Sequence, residues 1–102
     1  MSTHEPLSPA ELQGAMSELE GWEIVDGALR RRFKFAGFDA AFAFMTRVAR
    51  EAHRLNHHPT WTNSYNRVEI TLLTHRAGRR ITALDVELAR RINRLLETDA
   101  RD

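Results

Sequence analysis

Two short turns, each set between stretches in which apolar and polar residues alternate, constrain this chain to antiparallel strand pairing. The first turn is Asp26-Gly27, a pair that tolerates the positive φ angles required at both central positions of a tight hairpin. The second turn lies near Asn66. Alternation with a period of two is typical of half-buried strands. The four predicted strands are Trp22–Val25, Leu29–Phe35, Thr60–Tyr65 and Val68–His75.

The apolar rows of these strands predict which side of the sheet lies on the core. In the last strand Val68, Ile70 and Leu72 fall on one side, and His75 falls on the other. In the second strand Arg31 interrupts the apolar row. We therefore expect the second strand to be exposed at one end or to be paired in an oligomer.

Three further segments have the apolar periodicity of amphipathic helices. The first helix is predicted to begin at a Ser8–Glu11 capping box with Pro9 and to end at Gly21. The second covers Phe38–Leu55 and is stopped by Pro59, and the third begins at a Thr82–Asp85 capping box. The predicted order is α-β-β-α-β-β-α. This order indicates an α+β fold, a four-stranded antiparallel sheet with three helices on one face. A length of 102 residues predicts a single domain over residues 1–102.

Composition excludes several classes of protein. With 15 basic and 14 acidic residues, the chain has no excess of positive charge that would attract a polyanion, so we expect no nucleic-acid partner. Because the chain has no cysteine, disulfides, thiolate metal sites and cysteine nucleophiles are excluded. The N-terminal residues lack the apolar stretch of a secretory signal, and no apolar run is long enough to span a membrane. We therefore expect a cytoplasmic protein with no membrane partner.

Histidines are the candidate catalytic residues, because imidazole both gives and takes a proton near neutral pH. Four of the five histidines are His53, His57, His58 and His75, and the fifth, His4, is given no role. His53 and His57 are four residues apart near a helix end, so they are predicted to share a face. Two other interpretations remain open: the histidines before Pro59 can simply cap the helix, or a pair at this spacing can form half of a zinc site. No HExxH pattern accompanies the pair, which favours chemistry without a metal.

The position of His75 favours a catalytic role. Its imidazole is predicted to point away from the core, at a strand end that lies beside a helix end, where a cleft can form. Asp85 then has two roles open to it, which are compatible. It can complete the Thr82 capping box of the last helix, or it can orient an imidazole.

Taken in order, these residues resemble the pterin-4a-carbinolamine dehydratase family. The family pattern is carried by HRLNHHP from His53 to Pro59, then by Tyr65, His75 and Asp85. The surrounding stretch HHPTWTNSYNRVEITLLTH is similar across the whole hairpin, and the resemblance extends from about Trp22 through the last helix. It therefore covers most of the chain.

The resemblance implies a dehydration. The family removes water from 4a-hydroxytetrahydrobiopterin to give quinonoid dihydropterin by general acid–base catalysis, with no cofactor and no metal. Carried over to this chain, the family pattern implies that His57 and His75 are the catalytic acid–base pair and that His58 mainly holds the pterin. The implied substrate-binding residues are His58, Pro59, Trp61, Asp85 and His53.

Two departures from the family pattern bear on activity. His53 stands where members commonly have glutamate, and the loop from Arg76 to Leu84, which contains Arg79-Arg80, is one residue longer than usual. The alternative is a non-catalytic interaction or assembly protein, or a transcription cofactor, on the same fold. A histidine-ligated metal hydrolase is a third hypothesis. The resemblance also implies assembly into a homodimer or homotetramer.

Overall fold

The computed structural model describes residues 5–101, and side chains as far as residue 97. His4 therefore lies outside the described residues. The helices are α1 (Pro9–Met16), α2 (Phe38–Leu55) and α3 (Ala83–Arg101), and the strands are β1 (Glu23–Val25), β2 (Ala28–Lys34), β3 (Thr60–Ser64) and β4 (Arg67–Leu72). A short 3₁₀ turn, His75–Ala77, follows β4. The predicted order of elements is confirmed.

The four strands form one antiparallel sheet in the order β1-β2-β4-β3. Asp26 and Gly27 have φ angles of 50° and 79°, as the first hairpin turn requires. At the second turn Tyr65 takes the positive φ, 53°. Each hairpin contributes one outer and one inner strand, and the inner strands β2 and β4 pair with each other from Leu29 opposite Leu72 to Lys34 opposite Arg67.

The core lies between the sheet and the helices, as the pattern of β4 predicts. Val68, Ile70 and Leu72 are all buried in it. The helices contribute apolar side chains that include Phe44 and Val48 from α2 and Leu88 and Ile92 from α3. The prediction of an α+β fold, with three helices on one face of a four-stranded antiparallel sheet, is confirmed. No helix within residues 5–101 has both the length and the apolar character needed to cross a bilayer.

The first helix is shorter than predicted, because it ends at Met16 rather than at Gly21. Its start is as expected: the Ser8 hydroxyl accepts from the backbone N–H of Glu11, and the Glu11 carboxylate accepts from that of Ser8. After Met16 the backbone continues in i to i+3 turns that carry Leu19 into the core. Gly21 has a φ of 87°, and a Cβ there would lie 2.5 Å from the guanidinium carbon of Arg31.

Arg31 is accommodated within its own chain. Its Nη1 donates to the Glu20 carbonyl at 2.8 Å and to Asn93 Oδ1 at 2.7 Å. Trp22 Nε1 donates to the same Asn93 oxygen at 2.9 Å, and the guanidinium carbon lies 5.0 Å from the ring centre of Phe33. The interruption that Arg31 makes in the apolar row therefore does not by itself require an oligomer or an exposed strand end.

Candidate active site

The end of α2 determines where His57 points. Asn56 adopts the left-handed conformation, with φ 50° and ψ 42°. The N–H groups of Asn56 and His57 donate to the carbonyls of His53 and Ala52, each at 3.0 Å, a pattern that ends many helices. His57 therefore lies beyond the helix, and the prediction that His53 and His57 share a helical face is wrong. The left-handed residue turns the chain, so His57 is buried whereas His53 stays exposed on α2.

The buried imidazole of His57 contacts the buried carboxylate of Asp85. His57 Nε2 lies 2.5 Å from Asp85 Oδ1, and the two residues are 8% and 0% exposed. The other carboxylate oxygen accepts from the Thr82 backbone N–H and from the Thr74 hydroxyl, each at 2.8 Å. Asp85 therefore has both of the roles that the sequence leaves open, because it caps the start of α3 and contacts an imidazole.

This contact determines which ring nitrogen of His57 carries the proton when the imidazole is neutral. A carboxylate only accepts hydrogen bonds, so the nitrogen of His57 that faces Asp85 must be the donor, Nε2–H. The other nitrogen, Nδ1, then carries the lone pair. No described residue bonds Nδ1, and Nδ1 is not among the fully buried atoms left unpaired, so it keeps some exposure. Nδ1 is thus the ring atom of His57 that a ligand can reach.

An open cleft of about 480 Å³ brings the three predicted histidines together. It is lined by Leu55, Asn56, His57, His58, Leu73, Thr74, His75, Arg76 and Leu84. His57 forms its buried side, whereas His58 and His75 are exposed. The end of α2, the segment after β4 and the first turn of α3 thus meet at one place.

His75 reaches the cleft from a 3₁₀ turn rather than from the strand that the alternation predicts. β4 ends at Leu72, and Thr74 pairs with Arg80 in an isolated bridge. This bridge closes the loop, and the Thr74 carbonyl accepts from the Ala77 N–H at 3.2 Å. A turn replaces the last predicted strand residues because β4 has no strand partner beyond Leu72 in the described sheet.

The structure separates the predicted binding residues into two groups. His58 lines the cleft, and Asp85 lies directly behind His57. Pro59 and His53 do not line the cleft, and Trp61 packs partly buried against the core from β3.

The sequence offered no signal for Thr74, which is 3% exposed and donates to Asp85. Its role depends on a tertiary contact with Asp85, which is 11 residues away along the chain.

The side chains at this site do not include a preformed metal cluster. Within the described part of the chain, no group of three or more histidine, aspartate or glutamate side chains is placed to hold a metal ion. The geometry consists instead of an imidazole oriented by a carboxylate, with two further imidazoles at the opening of the same cleft. Such a set can donate and accept protons at a bound molecule.

Comparison with known proteins shows which family this chain is similar to. The model of the family described as pterin 4 alpha carbinolamine dehydratase matches residues 5–95. A curated protein of Opitutus terrae, named provisionally as a pterin-4-alpha-carbinolamine dehydratase, is 47% identical over 89 residues, which cover 87% of this chain and 92% of that protein. A protein of Chelativorans sp. with the same provisional name is also 47% identical and covers 85% of this chain and 90% of its own length.

A solved structure shares the fold as well as the sequence. The crystal structure of a transcriptional coactivator/pterin dehydratase from Brucella melitensis has a TM-score of 0.82 to this chain at 44% sequence identity. The match covers 87% of this chain and 96% of that one. With the family match over residues 5–95, these findings show that the chain belongs to the pterin 4 alpha carbinolamine dehydratase family.

Proposed function

We propose that this chain is a hydro-lyase that removes water from 4a-hydroxytetrahydrobiopterin and releases quinonoid dihydropterin. The observation that carries the proposal is the cleft, in which His57, His58 and His75 meet and Asp85 lies behind His57. Family membership and the names of the relatives support a pterin carbinolamine as the substrate class.

The reaction needs two proton transfers and no change of oxidation state. The C4a–O bond of the carbinolamine breaks as the neighbouring ring nitrogen donates its electron pair. An acid protonates the departing hydroxyl, which leaves as water, and a base removes a proton from the pterin ring system. Each positioned acid or base is worth about 10²- to 10⁴-fold in rate.

The histidines of the cleft supply both groups in this proposal. His57 exchanges its proton with the substrate through Nδ1, because Nε2 is bonded to Asp85. His75 handles the second proton from the 3₁₀ turn, and His58 holds the pterin. Asp85 acts on the pterin through His57 rather than by direct contact. For Pro59, Trp61 and His53, contact with the substrate remains a prediction from the family pattern.

A stopped-flow assay tests the proposal by following the ultraviolet absorbance of the 4a-hydroxy intermediate. We expect wild-type protein to accelerate its loss, and His75→Ala to lower kcat by about 100-fold or more. Arg50→Ala, on the exposed side of α2, is the surface control. Equal rates for His75→Ala and wild type would remove His75 from the mechanism. A wild-type rate equal to the spontaneous reaction would refute the enzyme proposal.

A second candidate function is binding of a protein partner, either a transcription factor or an assembly partner. The relative from Brucella melitensis is described as a transcriptional coactivator as well as a pterin dehydratase. In this chain Phe38 and Phe42 are 46% and 54% exposed on α2, and their ring centres lie 5.7 Å apart. Wild-type protein without dehydratase activity, together with a stoichiometric partner that Phe42→Ser loses, would favour this function. Homodimeric or homotetrameric assembly and a cytoplasmic location also remain predictions.

A further inference from the structure

Two buried threonine hydroxyls connect to the carboxylate that orients His57. Thr74 and Thr82 are 3% and 0% exposed, and their Oγ1 atoms lie 2.7 Å apart. The Thr74 hydroxyl also lies 2.8 Å from Asp85 Oδ2. Thr82 belongs to the cap of α3, whereas Thr74 lies beyond β4 and outside that helix.

The direction of each hydrogen bond in this group is determined by the groups at its two ends. Asp85 accepts only, so the Thr74 hydroxyl must donate its proton to Oδ2. The Thr82 hydroxyl then donates to Thr74 Oγ1, because Thr74 has no second hydroxyl proton. Thr82 Oγ1 in turn accepts from the Leu84 N–H at 3.3 Å. Both hydroxyl protons thus point toward the carboxylate, whose other two donors are the Thr82 N–H and His57 Nε2–H.

The same threonine also holds the segment that carries His75. The Thr74 N–H donates to the Arg80 carbonyl at 2.9 Å, and its carbonyl accepts from the N–H groups of Arg80 and Ala77 at 3.3 and 3.2 Å. His75 is the next residue along the chain and begins the 3₁₀ turn. Through its hydroxyl and its backbone, Thr74 therefore contacts the supports of both proposed catalytic histidines.

We propose that Thr74 is a positioning residue. Its hydroxyl holds the Asp85 carboxylate in the orientation that keeps His57 in the Nε2–H tautomer, with Nδ1 as the reacting atom. This inference deepens the proposed dehydratase function and rests on it for the reaction. Without the hydroxyl, the Thr82 N–H is the remaining donor to Oδ2 among the described residues, so the carboxylate is held less firmly and its hold on the imidazole loosens. The tautomer is then set by solvent, and a fraction of the molecules present Nδ1–H to the substrate.

The test compares three substitutions on or beside the same strand. Thr74→Val keeps the branched shape and removes the hydroxyl, whereas Thr74→Ser keeps the hydroxyl and removes the methyl group. Thr71→Val makes the same change within β4, at a side chain on the sheet face opposite the core. Nitrogen-15 NMR of the histidine rings, recorded where the imidazoles are neutral, reports the tautomer of His57 directly.

We expect His57 to be in the Nε2–H form in wild type, Thr74→Ser and Thr71→Val, and to be a mixture of tautomers in Thr74→Val. In the stopped-flow assay, kcat of Thr74→Val should fall by about tenfold to a hundredfold, with KM changed by less than about threefold, because proton transfer rather than binding is impaired. Thr74→Ser should restore most of kcat. A residue with a merely structural role would not produce this combination.

The NMR readout separates this proposal from the proposed reaction, since it needs no substrate. A folded Thr74→Val protein whose His57 keeps the wild-type tautomer overturns the positioning role, even if its kcat falls. If Thr74→Val does not fold, the wild-type protein still decides the question. A Thr74 hydroxyl proton held in this bond exchanges slowly with water and gives its own resonance, and rapid exchange of that proton would overturn the proposal.

Discussion

Replacing Asp85 by asparagine tests the central contact of the site while keeping its shape. An asparagine side chain offers one oxygen and one N–H₂ group. Its oxygen can still accept from Thr74 and from the Thr82 N–H, where Oδ2 lies in the wild type. Its amide nitrogen must then face His57 Nε2, where a carboxylate oxygen stood. Since two donors cannot share a hydrogen bond, the neutral imidazole should change to the Nδ1–H tautomer.

The expected loss of stability follows from these contacts. Hydrogen bonds to a charged group contribute about 1.5–3 kcal/mol and neutral ones about 0.5–1.5 kcal/mol, so each of the two retained bonds loses about 1 kcal/mol. The negative charge in the first turn of α3 adds about 0.3–1 kcal/mol. The relief of a buried charge offsets part of this sum. We expect a net loss of about 2 kcal/mol, which lowers Tm by about 10 °C in a chain of 102 residues.

The expected loss of activity is larger, because the reversed tautomer removes the lone pair from Nδ1, the atom through which His57 is proposed to exchange its proton with the substrate. We expect kcat to fall by about 10²- to 10⁴-fold in the stopped-flow dehydratase assay. Asp39→Asn is the matched control, since Asp39 lies in the first turn of α2 and is exposed. It should cost a few tenths of a kcal/mol, up to about 1 kcal/mol, and leave kcat unchanged. A folded Asp85→Asn protein with kcat within about threefold of wild type would refute the assigned role of the carboxylate.

Two further predictions concern the supports of the fold. Hydrogen bonds from the Ser8 backbone and side chain lower the pKa of Glu11 below its usual 4.5, so its contribution to stability is complete above that pH and declines as the pH falls through the folded-state pKa. The difference in unfolding free energy between wild type and Glu11→Gln should therefore shrink between pH 7 and pH 3 in urea titrations, and a constant difference would contradict this. Arg31 is partly buried, which lowers its pKa. The substitution Arg31→Met removes the two hydrogen bonds that Arg31 donates, one to the Glu20 carbonyl and one to Asn93. We expect a loss of about 1–3 kcal/mol, and an unchanged urea midpoint would count against these contacts.

Much of the fold could be predicted from the sequence because its signals are local. Asp26-Gly27 specifies a tight hairpin through φ angles that depend on two residues. The Ser8–Glu11 box and the Thr82–Asp85 pair specify helix starts through contacts three residues apart. The alternation in β4 specifies its buried face without reference to its neighbours.

The errors arise where a local pattern continues past the point at which tertiary contacts end it. The apolar periodicity of α1 extends toward Gly21, but core packing of Leu19 replaces the last helical turns. The alternation of β4 extends to His75, but β4 pairs with its neighbours only as far as Leu72 within the described sheet. The residue types do not reveal where α1 and β4 end, because each end depends on the residues that contact it in the folded chain.

The candidate site divides in the same way. The residue types, their family pattern and the two roles open to Asp85 follow from the sequence alone. The contact of His57 with Asp85, the support that Thr74 gives to this pair and the absence of His53 from the cleft lining all depend on the folded chain. His57 and Asp85 are 28 residues apart. Their contact depends on the left-handed turn at Asn56 and on the packing of α3 against α2, which bring distant parts of the chain together through the core that they share.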